Sequence, residues 1–232
     1  MKMSLPLTTA AALVLALSAC SNSKDGATAS VITPEVQGAI EVAQEGSKTT
    51  LSAGVERFTN DITVDGKAGV VTADVVSGAG PVLVETRFGN TKTDYVLTAQ
   101  ADAKIATPGG DYEGPLSVTY RTADTGAFST AKGDILLTLD GEFGDLDFSG
   151  RASNDKDTFQ IIGDGIVEKG TLTSDYTGVN QLDSDGNRVA NFEGALNGVI
   201  VKGDNTPVVA GLVSVDEPGL TLDGGFVAGK SN

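Results

Sequence analysis

Few residues in this 232-residue chain are of types that perform chemistry by themselves. It has one cysteine, Cys20, and neither histidine nor tryptophan. Without histidine there is no imidazole base for a Ser-His-Asp or Cys-His system, and zinc, copper and haem lose their usual nitrogen ligand. Any reactive site would therefore have to work without an imidazole group.

Carboxylates are among the groups that remain, and one cluster of them has a suggestive spacing. Residues 183–187, DSDGN, resemble a calcium loop, but Glu193 stands one residue short of the position at which the bidentate ligand belongs. The same residues fit the turn at a hairpin tip, which we favour.

Paired glycosidase carboxylates need a sugar-stacking cleft, for which four Tyr and eight Phe provide little. We predict no catalytic residues, no metal site, no cofactor and no enzymatic activity.

The chain is strongly acidic. It has 31 Asp and Glu against 16 Lys and Arg, a formal net charge of -15. Counterion release on a phosphate backbone needs clustered basic residues, so we expect no nucleic-acid partner. Residues 111–232 contain 20 of the acidic and 8 of the basic side chains. A solvated acidic surface explains this excess, and a basic protein partner is the alternative explanation.

The first twenty residues have the pattern of an export signal. Lys2 gives a positive start, and residues 5–17 are mostly apolar but too few to span a bilayer. The segment ends in four residues that resemble the lipobox of bacterial lipoproteins: Leu17, Ser18, Ala19 and Cys20.

The lipobox resemblance implies cleavage before Cys20 and acylation of its thiol, which would anchor the protein to a membrane. Ser21 at the second mature position favours the outer membrane. We therefore predict a signal peptide over residues 1–19, a lipidated flexible tether over residues 20–33, and a lipid-anchored outer-membrane location. The side of the membrane that the protein faces, cell surface or periplasm, is left open. An ordinary secretory signal is the alternative.

Residues 34–107 are predicted to form a short helix and a β-rich companion region. Thr33 and Pro34 suit the start of a helix, and four apolar residues then recur at helical spacing: Val36, Ala39, Ile40 and Ala43. This favours a helix over about 34–45, with a continuation of the tether as the alternative. Period-two alternation then predicts strands at about 61–64, 69–76, 82–88 and 94–101.

Residues 111–232 are predicted to form a β-barrel domain. Leu146 and Phe148 alternate with Asp145 and Asp147, which is typical of a strand with one dry face. With no helix between them, the strands require antiparallel pairing. The predicted fold is all-β: an antiparallel eight-stranded up-and-down β-barrel with a smaller β-rich N-terminal region. The eight strands lie at about 112–121, 133–139, 145–152, 158–167, 170–177, 189–202, 207–215 and 220–228.

Short motifs follow one another in a particular order through this half of the chain. They are YEG at 112–114, FGDLDFSG at 143–150, FQIIG at 159–163, GTL at 170–172, FEGALNG at 192–198 and GGFVAGK at 224–230. In this order they resemble the barrel of the transferrin-binding protein B family of surface lipoproteins, which includes factor H binding protein. The resemblance covers about 120 residues, enough for one lobe of that family. Leu196 stands where the family has an aromatic residue.

The resemblance implies a binding lipoprotein whose barrel loops capture a protein or nutrient-related ligand without catalysis and hand it to an integral outer-membrane receptor. The transferrin-contacting loops have no counterpart here, so transferrin is not implied. The absence of histidine weakens haem binding. We interpret the four tyrosines as packing residues with outward hydroxyls rather than haem ligands: Tyr95, Tyr112, Tyr120 and Tyr176.

Two alternatives remain open beside this function. One is a periplasm-facing structural or envelope scaffold lipoprotein. The other is a carrier of a small apolar ligand, because an eight-stranded barrel either fills its interior with side chains or holds one small molecule. The carrier requires a cavity among Leu116, Leu137, Phe148, Leu172 and Phe226.

Overall fold

The computed structural model describes residues 32–52, 54–99, 108–123, 126–204 and 206–231. In that part of the chain it contains one helix and fourteen strands. The predicted signal peptide and lipidation site lie outside the described residues. None of the described helices is long and apolar enough to span a membrane.

The N-terminal region is a helix followed by an antiparallel sheet. Helix α1 spans Pro34–Gln44, and the Thr33 hydroxyl accepts a 3.4 Å hydrogen bond from the backbone N–H of Val36, which caps the helix. Five strands follow and pair in sequence order. They are β1 Ser47–Ser52, β2 Val55–Val64, β3 Lys67–Val76, β4 Gly80–Phe88 and β5 Asp94–Leu97.

The C-terminal region is a closed antiparallel barrel. With one interruption, each strand pairs with the next along the chain, and the last pairs with the first. Its strands are β6 Gly110–Thr122, β7 Ser129–Leu139, β8 Asp145–Ser153, β9 Thr158–Glu168, β10 Thr171–Leu182, β11 Arg188–Glu193, β12 Ala195–Lys202, β13 Pro207–Glu217 and β14 Leu220–Lys230. Because β11 and β12 both pair with β10, they act as one interrupted strand. The predicted eight-stranded up-and-down barrel is confirmed.

The structure differs from the predicted strands in several places. The strand predicted at 189–202 is interrupted at Gly194, whose N–H donates to the Thr177 carbonyl at 2.8 Å. Strand β2 begins at Val55 rather than near residue 61, and β5 ends at Leu97. Strand β1 was not predicted, because its sequence SKTTLS has a single apolar residue and no hydrophobic alternation.

Side chains fill the barrel interior. The five residues that a carrier would need around its cavity belong to one contiguous buried apolar cluster, in which Phe148 is 4% exposed and the others 1% or less. Tyr120 and Phe159 meet edge to face in the same cluster, with their ring centroids 4.6 Å apart. The interior is therefore a packed core, which gives no support to the carrier alternative.

The five-stranded sheet lies between the barrel and the helix. One face packs Leu83 and Leu97 against outward valines of β12, β13 and β14. The opposite face packs Ala73 and Val84 against the apolar side of α1. Gly225 of β14 permits this close approach, because a Cβ atom there would lie 2.9 Å from both Leu83 and Tyr95. The layers are thus helix, sheet and barrel wall.

Polar contacts extend this interface across β6 and the start of β7. The hydroxyls of Tyr95 and Ser117 lie 3.2 Å apart, and Arg87 donates to the Thr130 hydroxyl at 2.8 Å. The sheet thus covers β12, β13, β14 and β6. The outer faces of β7, β8 and β9 carry mostly exposed side chains, as the strict alternation of exposed and buried residues in β8 illustrates.

Candidate binding surface on the barrel wall

The structure places only some of the residues considered from the sequence. Leu17, Ser18, Ala19 and Cys20 lie outside the described residues, so their role in lipidation stays a prediction. Tyr112 and Tyr120 are buried in the barrel core, Tyr95 lies between sheet and barrel, and Tyr176 lies exposed on the outer wall. Among the described residues, no three Cys, Asp or Glu side chains converge as a metal site would require.

The DSDGN segment is the turn between β10 and β11. One oxygen of Asp183 accepts backbone hydrogen bonds from Asp185 at 2.9 Å and from Asn187 at 2.8 Å. Hydrogen bonding, first of all from the Asn187 backbone, lowers the pKa of the Asp183 carboxyl. Its carboxylate therefore shapes the hairpin tip, in agreement with the turn interpretation.

A groove runs along the outside of β8, between β7 and β9. Strand register places the outward side chains in three rows of three. From one end to the other the rows are Asp134, Arg151 and Gln160; Leu136, Ser149 and Ile162; and Thr138, Asp147 and Asp164. We call these nine residues the β8 groove. The third row lies nearest the β7–β8 turn.

The middle row forms an apolar notch. Ser149 is small and stands between Leu136 and Ile162, and Leu136 is 42% exposed. Two hollows of about 240 and 370 Å³ are both lined by Leu136 and Ser149. Both lie on the outer wall and are open, whereas a small-molecule site encloses most of its ligand. The notch therefore suits one side chain of a protein partner better than a free metabolite.

The row nearest the β7–β8 turn is acidic. Asp147 and Asp164 are directly opposite each other on neighbouring strands, and neither forms an ion pair with a described residue. Asp111 adds a third carboxylate at this end, where it accepts a 2.8 Å hydrogen bond from the Thr138 hydroxyl. Like charges directly opposite on a sheet are destabilising. The acidic row therefore costs stability in the isolated protein.

We expect Asp164→Asn to raise the free energy of unfolding by about 0.2–1 kcal/mol, because the substitution removes a repulsive cross-strand pair. Urea denaturation, monitored by circular dichroism, would measure the change in the free energy of unfolding. The matched control is Asp145→Asn on β8, because Asp145 is exposed but stands opposite Ile166 rather than a carboxylate. Equal effects of the two substitutions on the free energy of unfolding would contradict the attribution of the gain to repulsion between Asp147 and Asp164.

A second unusual group of charges lies under the sheet, at its interface with the barrel. Arg57 donates from Nε to Asp74 Oδ1 and from Nη2 to Asp74 Oδ2, each at 2.7 Å. The same Nη2 lies 3.5 Å from Glu85 Oε1. Their side chains are 18%, 1% and 14% exposed in the order Arg57, Asp74 and Glu85. One cation, Arg57, thus forms ion pairs with two carboxylates at a mostly buried position.

Burial raises the pKa of Glu85 to about 7. Arg57 opposes this rise and the charge of Asp74 adds to it. The arrangement resembles other coupled carboxylates, in which one group stays protonated because the available cation is already engaged. Since the cluster is enclosed between sheet and barrel, we assign it to docking of the two parts rather than to ligand binding.

The sequence carried a partial signal for each of these features. Asp74 is the one charged residue in the run VVTADVV, and Leu136 and Ile162 are apolar where strand alternation calls for a polar residue. The pairing of these residues across strands depends on register and could not be derived from the sequence. Comparison with models of known protein families gives no match, and comparison with curated proteins gives none either.

Proposed function

We propose that the protein is a lipid-anchored binding protein of the bacterial outer membrane. Acylation at Cys20 would supply the anchor, and the barrel would capture a protein or nutrient-related ligand without catalysis and pass it to an integral membrane receptor. The lipobox-like residues 17–20 support the anchor. The ordered motifs that resemble the transferrin-binding protein B family support the binding role.

The β8 groove is the observation that carries this proposal. Among the described residues, four of the six exposed large apolar side chains lie on this flank of the barrel: Leu136, Phe143, Ile166 and Tyr176. Phe143 is 74% exposed on the β7–β8 turn, next to the acidic row of the groove. Exposed apolar side chains grouped beside a notch are typical of protein-interaction sites. Loop and groove together offer one continuous contact surface.

Site-specific photo-cross-linking in intact cells would test the proposal. A photoreactive amino acid in place of Gln160, at the edge of the groove, is expected to capture a discrete protein. The same amino acid in place of Thr63, exposed on the five-stranded sheet, is the control. Leu136→Ser combined with Ile162→Ser is expected to abolish capture at position 160, because both walls of the apolar notch are lost. Capture of nothing at position 160, or equal capture at position 63, would overturn the proposal.

Protease treatment of the same cells determines which side of the membrane the barrel faces. Degradation of the barrel in intact cells supports a surface-displayed binding protein. Protection until the outer membrane is permeabilised supports the periplasm-facing scaffold. Cys20→Ser is expected to release the protein from the membrane fraction, and full retention of this variant would contradict lipid anchoring.

A further inference from the structure

We infer that the partner presents a Lys or Arg beside an apolar side chain, with the apolar side chain seated over Ser149 and the cation between Asp147 and Asp164. This inference rests on the proposed function, because it uses the same groove. It adds the chemistry of the side chains that the partner presents and the orientation of the bound segment along the groove.

The spacing of the rows sets the geometry of the bound segment. Ser149 and Asp147 are two residues apart on β8, which separates their rows by about 7 Å. In an extended segment, side chains two residues apart point to one side and have the same spacing. A segment of the form apolar-x-basic, lying along β8, therefore reaches the notch and the acidic row at once.

Electrostatics favour a cation at this end of the groove. Two opposed carboxylates without an ion pair among the described residues can both accept charge-assisted hydrogen bonds from an ammonium or guanidinium group. The opposite end of the groove contains Arg151 opposite Asp134, so the two ends differ in charge. A basic residue is thus directed toward the β7–β8 turn, which fixes the polarity of the bound segment.

The same charge distribution disfavours two other occupants. A second copy of the chain would bring another acidic molecule of formal charge -15 against the acidic row. A nucleic acid would place phosphates beside Asp147 and Asp164, where repulsion opposes binding. A basic protein segment is the occupant that neutralises the surface.

Peptide binding to the purified full chain in detergent would test the inference. The probe is a fluorescein-labelled peptide with two Leu-x-Lys units in a Gly-Ser frame, measured by fluorescence anisotropy. Matched peptides replace each Lys by Glu or each Leu by Ser. We expect both replacements to weaken binding at least about tenfold, and we expect binding of the Lys peptide to fall as salt rises.

Protein variants provide the second half of the test. Asp147→Asn with Asp164→Asn is expected to weaken the Lys peptide about tenfold and to remove its advantage over the Glu peptide. Asp61→Asn on β2 with Asp65→Asn in the β2–β3 turn removes two charges at a distance from the groove and should leave binding unchanged. Circular dichroism verifies that both variants are folded.

The possible outcomes separate this inference from the proposed function. Equal binding of the Lys and Glu peptides, or equal effects of the two double variants, overturns the inference. If cross-linking at position 160 still captures a protein in cells, the proposed binding function is retained and only the inference that the partner is basic is wrong. Self-association of the full chain that Asp147→Asn with Asp164→Asn abolishes would instead assign the groove to a second copy.

Discussion

Replacement of Arg57 by Met is expected to lower the free energy of unfolding by about 3–5 kcal/mol, because it leaves Asp74 and Glu85 together in a mostly buried position without a cation. Met preserves much of the volume of the aliphatic stem, so the loss reports mainly on charge. Since the chain has no tryptophan, urea denaturation followed by circular dichroism is the suitable measurement.

Two further variants give this prediction a sharp control. Arg57→Lys keeps the charge but not the paired contacts of Nε and Nη2 with Asp74, so an intermediate loss is expected. The triple variant Arg57→Met, Asp74→Asn and Glu85→Gln removes every charge of the cluster and should recover part of the stability. A triple variant less stable than Arg57→Met alone would contradict an electrostatic origin.

Glu85→Gln is expected to remove a dependence of stability on pH. The pKa of Glu85 is about 7 in the folded protein, against an ordinary value of 4.5. Between these values the folded state holds a proton that the unfolded chain has released, so stability falls as pH rises from about 4.5 to about 7. The fall reaches about 3 kcal/mol at most, at about 1.4 kcal/mol for each unit of pKa difference.

Free energies of unfolding at pH 5, 6, 7 and 8 would measure this effect. The Gln variant should be less dependent on pH than the wild type and more stable than the wild type at pH 8. Glu56→Gln is the control, because Glu56 lies on β2 in a surface pair with Lys48. If Glu85→Gln and the wild type lose the same stability between pH 5 and pH 8, Glu85 is not the responsible group.

The barrel was predictable because most of its strands have one buried and one exposed face. Strand β8 shows perfect alternation of exposed and buried residues, and the matching alternation in its sequence identifies both the strand and its inward face. The five-stranded sheet was harder, because the barrel covers one face and α1 the other. Strand β3 consequently has four successive buried residues, from Val71 to Asp74, and alternation is lost.

The candidate site could be predicted only in part, for a different physical reason. Both the β8 groove and the Arg57 cluster are made by side chains that meet across strands. Asp147 and Asp164 are 17 positions apart in sequence, and only strand register places them opposite each other. Register is set by the packing of the whole barrel, whereas local sequence patterns report the properties of one strand at a time.

The order of layers gives the molecule two opposite poles. Thr33, where the predicted tether ends, begins the helix on the far side of the sheet from the barrel. The β8 groove occupies the half of the barrel circumference that the sheet leaves uncovered. A lipid at Cys20 would therefore act at one pole, through a tether of residues 20–33 with a reach of up to about 45 Å. The five-stranded sheet would serve as a spacer that turns the groove away from the membrane and toward an approaching partner.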